Sequence, residues 1–417
     1  MRLKHRLGLS ISCALCLTTF AVPPAVAKTP EVALQAVPSA TNVEIQVQNP
    51  SDTSDEGQNP ALASLAKSAV IMDFATGTVL FEKNPHQRLP LASVTKIMTL
   101  LLIMEAIDDG RISLHDRVKV SEHAASMGGT QVFLETGETM TVKDMVKGIA
   151  IASANDACVA MAEHLAGSEK QFVRKMNQRA KQLGMRNTHF VNCNGLPAEN
   201  HYSSAYDVAL MSKELLKHPQ ITQFTAKFSD YLRQDTEHPF WLVNTNKLVR
   251  YYEGLDGLKT GYTTDARYCL SATAQRDGFR PIVVVMSEPK AADRTREVTQ
   301  MLNWSFASYA SKVIFKNGQE IATVGVNRGT VRHVKVYTGD TLGVVYKKGE
   351  HVQVRTQVVM EPLEAPLRKM KKVGVLRAYN GERFIGQVPL VVHQQIARAG
   401  WLHSFEQTLR DIITFGH

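Results

Sequence analysis

At 417 residues, 44% of them hydrophobic, the chain is long enough for two domains with a large core. Its net charge of +9 is uneven, because residues 312–417 hold 16 Lys and Arg against 8 Asp and Glu, whereas residues 28–311 sum to −2. Since the N-terminus predicts export, this basic quarter favours an anionic wall polymer or membrane surface over nucleic acid. A positive surface that only aids solubility is the alternative.

The first 27 residues have the layout of a secretory signal peptide. Three basic residues precede an apolar stretch over residues 7–22, and Ala25-Val26-Ala27 provides a cleavage site after Ala27. An uncleaved membrane anchor is the alternative interpretation of this segment. No later apolar stretch reaches the roughly 18 to 20 residues that span a membrane. Residues 28–60 are rich in Pro, Ser, Thr, Asn and Gln without a sustained apolar period, which predicts a disordered leader.

Ordered structure is predicted from residue 61 onward. The apolar stretches over residues 68–72 and 78–81 flank a turn and predict a β-hairpin. A helix starting near Ser93 follows, because the residues after Lys96 are apolar on nearly every face. Such a helix places the Ser93 hydroxyl and the Lys96 amine one turn apart, as a nucleophile and its base, and burial would strip water from the amine.

The Ser-x-x-Lys pattern is weak by itself, because it occurs three times in the chain. Only the copy at Ser93 opens a long apolar helix and is followed by Ser153-Ala154-Asn155 and Lys259-Thr260-Gly261. A capped amphipathic helix over residues 138–150 is expected to deliver Ser153 and Asn155 into a short loop before a helix over residues 156–165. There Ser153 can relay a proton and the Asn155 amide can bond a substrate peptide group. Helix caps are the alternative interpretation.

The third motif is predicted to lie on a strand whose edge faces the cleft, with further strands over residues 268–274 and 281–287. Gly261 lets a substrate backbone approach closely, while Lys259 contributes positive charge and Thr260 a hydroxyl. Arg294, at the start of a helix predicted over residues 294–309, could reach a substrate carboxylate. A surface arginine is an equally good interpretation of that residue.

Cysteine and histidine residues give no sign of a metal or a redox centre. Three cysteines remain without the signal peptide, too few for a disulfide framework, and Cys158 and Cys269 are interpreted as small core residues. His201 is interpreted as a structural loop histidine, because Lys96 already supplies a base. No His-Glu-x-x-His or Cys-x-x-Cys pattern occurs, so no metal or other cofactor is expected.

After Lys312 the pattern changes to short alternating stretches that predict a small all-β domain. These stretches cover residues 319–326, 331–337, 341–346, 352–360, 373–378 and 382–389. The tail over residues 395–415 has apolar residues at helical spacing, flanked by Trp401 and including Phe405. We interpret it as an amphipathic helix lying in a membrane surface, with packing on the β domain as the alternative.

Together the three motifs resemble those of the penicillin-recognising serine enzymes. With the basic β domain, residues 61–415 are most similar to the low-molecular-mass penicillin-binding proteins that act as serine-type D-alanyl-D-alanine carboxypeptidases. The resemblance implies an α/β catalytic domain of the β-lactamase/transpeptidase type, with an antiparallel sheet flanked by helices and a helical subdomain. A small all-β domain and a C-terminal amphipathic helix would follow. The implied activity is hydrolysis of the terminal D-Ala-D-Ala bond of peptidoglycan stem peptides, which limits cross-linking, and penicillins would bind covalently.

The resemblance also assigns roles to residues. Ser93 would be the acyl-ester nucleophile, Lys96 the general base and Ser153 the proton relay. Lys96 would need a lowered pKa, for which burial and the nearby charge of Lys259 are the available causes. The backbone amides of Ser93 and Tyr262 would form the oxyanion hole. The substrate-binding residues would be Asn155, Lys259, Thr260, Gly261 and Arg294. Arg267 departs from the family pattern, which has a small residue there.

The expected domains are a signal peptide over residues 1–27, a disordered leader over 28–60, a serine DD-peptidase domain over 61–311, a β-rich domain over 312–392 and a membrane-associating helix over 393–417. The exported enzyme would lie at the outer face of the cytoplasmic membrane, on the wall or periplasmic side. Its partners would be stem peptides, β-lactam antibiotics and the anionic membrane surface, and no oligomeric state is predicted.

Three other functions compete with this interpretation. A transpeptidase or DD-endopeptidase would use the same chemistry, since an endopeptidase also cuts after a D-alanine. A non-catalytic penicillin-binding sensor is disfavoured by the intact motifs. A β-lactamase is disfavoured because the chain has no Glu-x-x-Leu-Asn sequence between Ser153 and Lys259 to activate a deacylating water.

Overall fold

The computed structural model describes residues 43–45 and 61–400, all within one compact unit of the chain. The signal peptide, the rest of the leader and the predicted membrane-associating helix beyond residue 400 lie outside the described residues. None of the helices in residues 61–400 is long and apolar enough to cross a bilayer.

The α-helices are, in chain order, Lys96–Asp108 (α1), Glu122–Ala125 (α2), Val142–Lys147 (α3), Asn155–Ala166 (α4), Glu169–Gln182 (α5), Ala205–Leu215 (α6), Thr222–Thr225 (α7), Leu248–Tyr251 (α8) and Ala291–Ser308 (α9). The strands are Val43–Ile45 (β1), Ser68–Asp73 (β2), Val79–Lys83 (β3), Arg117–Lys119 (β4), Thr139–Thr141 (β5), Ser229–Leu232 (β6), Phe240–Val243 (β7), Leu255–Thr263 (β8), Arg267–Ala274 (β9), Pro281–Glu288 (β10), Tyr309–Phe315 (β11), Glu320–Asn327 (β12), His333–Thr338 (β13), Leu342–Lys347 (β14), Val352–Met360 (β15), Leu363–Glu364 (β16), Lys372–Asn380 (β17) and Arg383–Val392 (β18). Short 3₁₀ helices span Ala92–Thr95 and Pro219–Ile221, and a π-helical turn spans Gly148–Ala152.

The α/β domain is built on a five-stranded antiparallel sheet in the order β3-β2-β10-β9-β8. Both faces of the sheet are buried, and side chains alternate between them. In β2, Ala69 and Ile71 join the core beneath α9, whereas Val70 and Met72 join the larger core that holds α1, α4 and α6. Because each face needs apolar side chains, β2 and β10 are nearly continuous apolar runs.

The β domain follows α9. Its main sheet has seven strands in the order β1-β15-β17-β18-β13-β12-β16, and β11 and β14 form a separate ribbon. Alternate residues such as Val334 and Val336 on β13 face a second hydrophobic core. The predicted helix of the tail does not begin at residue 393: Ile396 forms a β-bridge with Leu367 and is buried in that core. A core position for an apolar side chain outweighs the weak helical period there.

One strand comes from the leader that composition predicted to be disordered. Val43–Ile45 pairs antiparallel with β15, with Val43 opposite Val354. Two β-branched residues flank a single Glu in this strand, and the edge of a sheet offers unpaired backbone groups to such a segment. A leader poor in apolar residues can therefore still contain one short strand.

The predicted fold class, an α/β domain followed by an all-β domain, is confirmed. The β2–β3 hairpin, α4 and strands β9 and β10 lie within two residues of their predicted bounds. The segment over residues 138–150 differs, because the Thr141 side chain accepts the backbone N–H of Asp144 at 3.1 Å and so starts α3 at Val142. Residues before Val142 form β5 instead. The helix predicted over residues 294–309 begins earlier, at Ala291, and residues 309–315 form β11.

Candidate active site

Ser93 lies at the entrance to α1. It belongs to the 3₁₀ turn Ala92–Thr95, which runs directly into α1 at Lys96, so the two side chains stand three residues apart on one face. The backbone of Ala92 is left-handed, with φ of 47°. Most of α1 is buried in the larger core, which fixes the turn at its N-terminus in place.

The Lys96 amine is the centre of a buried hydrogen-bond network. It donates to the Ser93 hydroxyl at 3.0 Å, to Asn155 Oδ1 at 2.7 Å and to the backbone oxygen of Asn194 at 2.6 Å. All three acceptors are uncharged, so no counter-ion offsets the loss of water. Burial accordingly lowers the pKa of Lys96 from its ordinary value. An amine in this position can lose its proton and then accept the hydroxyl proton of Ser93.

The second motif is positioned by the π-helical turn before it. That turn ends at Ser153, whose backbone is left-handed (φ 68°), and α4 begins two residues later at Asn155. The Asn155 side chain bridges two groups, since its oxygen accepts from Lys96 and its Nδ2 donates to the Gly128 oxygen at 2.7 Å. Ser153 is also buried, in the turn directly before Asn155. Asn155 thus holds the lysine, and its predicted contact with a substrate peptide group stays a prediction.

The third motif lies on β8, at the edge of the sheet next to the nucleophile. A Cβ atom added to Gly261 would stand 2.8 Å from the Leu91 oxygen and 3.1 Å from the Ser93 nitrogen. Only glycine allows this approach, which brings the backbone of Tyr262, the next residue, close to the turn of Ser93. The Thr260 hydroxyl donates to the Thr245 hydroxyl at 2.7 Å.

Lys259 is a second fully buried lysine beside Lys96. Its amine donates to the Thr260 oxygen at 2.9 Å, and no carboxylate of the described residues forms an ion pair with it. Burial first, and then the nearby Lys96, hold the pKa of Lys259 well below its ordinary value. Because two desolvated amines this close cannot both keep a full positive charge, a proton on one favours the neutral form of the other.

Arg294 lies in the first turn of α9 and beside an aromatic pair. Its guanidinium carbon is 5.9 Å from the centre of the Tyr268 ring, and that ring packs against the Tyr262 ring at an angle of 31°, with the centroids 4.4 Å apart. Arg294 Nε is buried without a hydrogen-bond partner among the described residues. Arg267, the first residue of β9, is exposed and has a left-handed backbone (φ 55°).

Two functional neighbours, Asn194 and Gly195, were not predicted. The Asn194 backbone oxygen accepts from Lys96, and Gly195 has φ of 88° with no room for a side chain: a Cβ there would overlap the Ala92 oxygen and stand 2.9 Å from the Ser93 nitrogen. The only local signal is the Asn-x-Asn-Gly sequence over residues 192–195, which is typical of a turn. Which residue that turn contacts depends on the tertiary fold.

The interpretation of His201 as structural fits its contacts. Its Nδ1 accepts the backbone N–H of Val191 at 3.0 Å, so Nε2 carries the proton and donates to the Thr95 hydroxyl at 2.8 Å. Burial and the nearby His189 lower the pKa of His201 to about 4, which keeps the ring neutral. Cys158 and Cys269 are free and buried, as small core residues.

The antiparallel sheet with helices on both faces, the serine at a helix N-terminus and the two buried lysines define a penicillin-recognising serine enzyme. Comparisons with known proteins give the family. Residues 54–290 match the protein-family model described as D-alanyl-D-alanine carboxypeptidase, and residues 309–398 match that of the penicillin-binding protein 5, C-terminal domain. The chain belongs to the D-alanyl-D-alanine carboxypeptidase family, and its activity is that of a serine-type D-Ala-D-Ala carboxypeptidase.

Individual relatives agree with this family. The chain is 47% identical over 363 residues to the D-alanyl-D-alanine carboxypeptidase DacF of Bacillus subtilis, covering 87% of this chain and 93% of the relative. Penicillin-binding protein 5 of Haemophilus influenzae superposes with a TM-score of 0.65 at 29% identity, covering 82% of this chain and all of that one. Penicillin-binding protein D2 of Listeria monocytogenes, in its ampicillin-bound form, has a TM-score of 0.53 at 31% identity. The match covers 60% of this chain and 100% of that one. The predicted family and activity are therefore confirmed.

Proposed function

We propose that Ser93 attacks the carbonyl between the two terminal D-alanines of a peptidoglycan stem peptide and forms an acyl-enzyme. The observation that carries this proposal is the 3.0 Å hydrogen bond between Ser93 and a buried lysine that has no charged partner in direct contact. Lys96 takes the hydroxyl proton as general base. The released D-alanine receives a proton through Ser153, which is buried in the adjacent turn.

The remaining site residues bind and polarise the substrate. The backbone amides of Ser93 and Tyr262 stabilise the oxyanion, which the close approach of Gly261 to the serine turn supports. The Thr260 hydroxyl and the unpaired Arg294 hold the terminal carboxylate, because an arginine with free donors suits that group. Lys259 adds positive charge to the cleft, and Asn155 keeps Lys96 in place.

Deacylation by water returns the enzyme and releases the shortened stem peptide. Penicillins imitate the D-Ala-D-Ala terminus, and we infer that they acylate Ser93. Two observations support β-lactam binding: the site geometry, and the likeness to a Listeria protein whose structure holds ampicillin. Trimming pentapeptides in this way would limit cross-linking of the wall.

The decisive experiment combines mass spectrometry with a product assay. The mature protein is incubated with benzylpenicillin, and release of D-alanine is measured from a pentapeptide ending in D-Ala-D-Ala. We expect an adduct on Ser93 and free D-alanine, both absent from Ser93→Ala. An adduct without turnover would favour a sensor, and no adduct on folded protein would refute the role of Ser93. A cross-linked dimer of two stem peptides, used as substrate in the same assay, measures endopeptidase activity.

We further propose that the chain is exported, with cleavage after Ala27, and is held at the outer face of the cytoplasmic membrane by its tail. The sequence supports this through the signal-like N-terminus and the helical apolar spacing that includes Trp401 and Phe405. Co-sedimentation of the mature protein with vesicles containing phosphatidylglycerol checks the tail. Binding should be lost on truncation after residue 400, and equal binding by the truncated protein would refute it.

A further inference from the structure

Two buried carboxyl groups, Glu288 and Glu297, lie behind Arg294 and have no role in the proposed reaction. Glu288 ends β10 and is completely buried, while Glu297 lies on α9 and is 2% exposed. The register of β10 against β9 shifts between Val285 and Glu288, and Ser287 has a left-handed backbone (φ 63°). A bulge of this kind redirects the next side chain, here into the interior.

Hydrogen bonds decide which of the two carboxyl groups is ionised. Glu297 accepts three, from the Ser64 hydroxyl and the Leu65 N–H at 2.9 Å each and from the Ala66 N–H at 3.3 Å. No N–H or O–H group of residues 61–400 donates to either oxygen of Glu288. A buried carboxylate without donors is strongly disfavoured, whereas a protonated one can donate its own proton to the neighbouring Glu297.

The electrostatics of the pair agree with this assignment. Burial and then the adjacent Glu297 raise the pKa of Glu288 to about 9. Burial alone would raise the pKa of Glu297 too, but its hydrogen bonds from Glu288, Leu65 and Ser64 hold it below the ordinary value. Two desolvated carboxyl groups in contact cannot both ionise, so one proton stays on Glu288. The charged or titratable groups that face Glu288 are Glu297, Asp293 and Arg294 from α9, Lys83 from β3, and Cys269 and Tyr268 from β9.

Arg294 lies close enough to Glu288 for the charge on that residue to affect it electrostatically. Tyr268 is the register partner of Glu288 across the sheet, and the guanidinium of Arg294 stands over the Tyr268 ring, so both residues are neighbours of Tyr268. Arg294 nevertheless forms no ion pair with the described residues, and its Nε has no partner. An ionised Glu288 would be the nearest uncompensated anion for that guanidinium.

We propose that Glu288 is a positioning residue kept protonated by its burial beside Glu297, so that the charge of Arg294 remains available to the terminal carboxylate of the substrate. The proposal rests on the proposed function in one respect, that Arg294 binds this carboxylate. Ionisation of Glu288 would draw the guanidinium back toward β10 and weaken substrate binding. The pair thus acts on KM more than on kcat.

The test uses Glu288→Gln, Glu297→Gln and the double variant in the mature full-length chain. KM and kcat are measured for a pentapeptide ending in D-Ala-D-Ala from about pH 6 to 10, a range that spans the ionisation of Glu288. In the wild type, KM should rise about tenfold as pH passes 9, which corresponds to the loss of one charged hydrogen bond. Glu288→Gln keeps a neutral side chain and should lack most of that rise.

Glu297→Gln provides the converse experiment. Without its anionic neighbour, Glu288 should ionise at a lower pH and pair with Arg294, which moves the rise in KM of about tenfold to lower pH. The double variant should restore KM, a rescue that a purely structural effect of Glu297 on residues 64–66 cannot produce. Glu320→Gln, which removes an exposed ion pair with Lys335 in the β domain, is the matched control.

Two results would overturn the proposal: an alkaline rise in KM for Glu288→Gln equal to that of the wild type, or failure of the double variant to restore KM. If Glu297→Gln does not fold, the pH profile of Glu288→Gln still decides the question. Failure of the proposed function has a separate signature, since wild-type protein would then give no adduct with benzylpenicillin and no D-alanine.

Discussion

Replacing Gly195 by Ala should disable the nucleophile without touching any side chain of the site. An added Cβ would overlap the Ala92 oxygen and stand 2.9 Å from the Ser93 nitrogen, so the serine turn must move. A backbone displacement on the order of 1 Å at a reacting group can reduce the rate about 100-fold. We therefore expect acylation by a fluorescent penicillin to slow by about that factor.

A matched control separates this collision from backbone strain. Gly195 has φ of 88°, where Ala costs about 1–2 kcal/mol, and Gly184 has φ of 75° with nothing within 4 Å of its added Cβ. Gly184→Ala should therefore lose only that strain energy in urea unfolding and keep the wild-type acylation rate. The reasoning would be refuted if folded Gly195→Ala were acylated at a rate within about threefold of that of Gly184→Ala. Such a difference is far smaller than the effect expected from a displaced serine turn.

Further predictions concern the base, the structural histidine and the core. Lys96→Arg keeps a cation that cannot lose its proton, so acylation should fall at least ~100-fold, as followed by intact mass. Because burial lowers the pKa of Lys96, wild-type acylation in stopped-flow measurements should be lost on the acid side at a pH below the ordinary lysine pKa. A loss only near that value would contradict burial as the cause. The pKa of His201 drops from 6.5 to about 4 on folding, so the neutral ring contributes stability above pH 6.5 that is lost as pH falls toward 4. Urea unfolding at these two pH values should show a loss of about 3 kcal/mol that is absent from His201→Gln. Leu101→Ala, in the core of α1, should lower the free energy of unfolding by about 2–5 kcal/mol, against less than about 0.5 kcal/mol for the exposed Leu65→Ala.

The parts of the molecule that sequence predicts well are those determined by local pattern. The apolar run after Lys96 requires a buried helix, and the alternation in β13 requires a strand with one face on a core, whatever surrounds them. The order and spacing of the three motifs was likewise enough to identify the family. Local pattern also explains the error over residues 138–150, since Thr141 can end a strand as readily as it caps a helix.

The features that sequence did not predict depend on contacts between distant segments. The acceptors of the Lys96 amine come from positions 93, 155 and 194, and only the last is a backbone group that any residue type supplies. The bond from Lys96 to Asn155 likewise depends on α1 and α4 packing side by side in the same core. Glu288 resembles an ordinary strand terminus in sequence, and only the bulge at Ser287 makes it a buried acid.

The position of β8 at the end of the five-stranded sheet has a consequence for self-association. Proteins usually protect such an edge with proline, a bulge or an inward charge, and of these proline removes a backbone N–H that an extended substrate needs. On β8 the register shifts between Leu255 and Gly257, and Lys259 is a buried lysine in the middle of the strand. Both features disfavour pairing with a long flat strand from a second molecule, but neither removes the backbone groups that a short peptide end needs. The buried lysine of the third motif therefore also protects the enzyme from aggregating through its own substrate-binding edge.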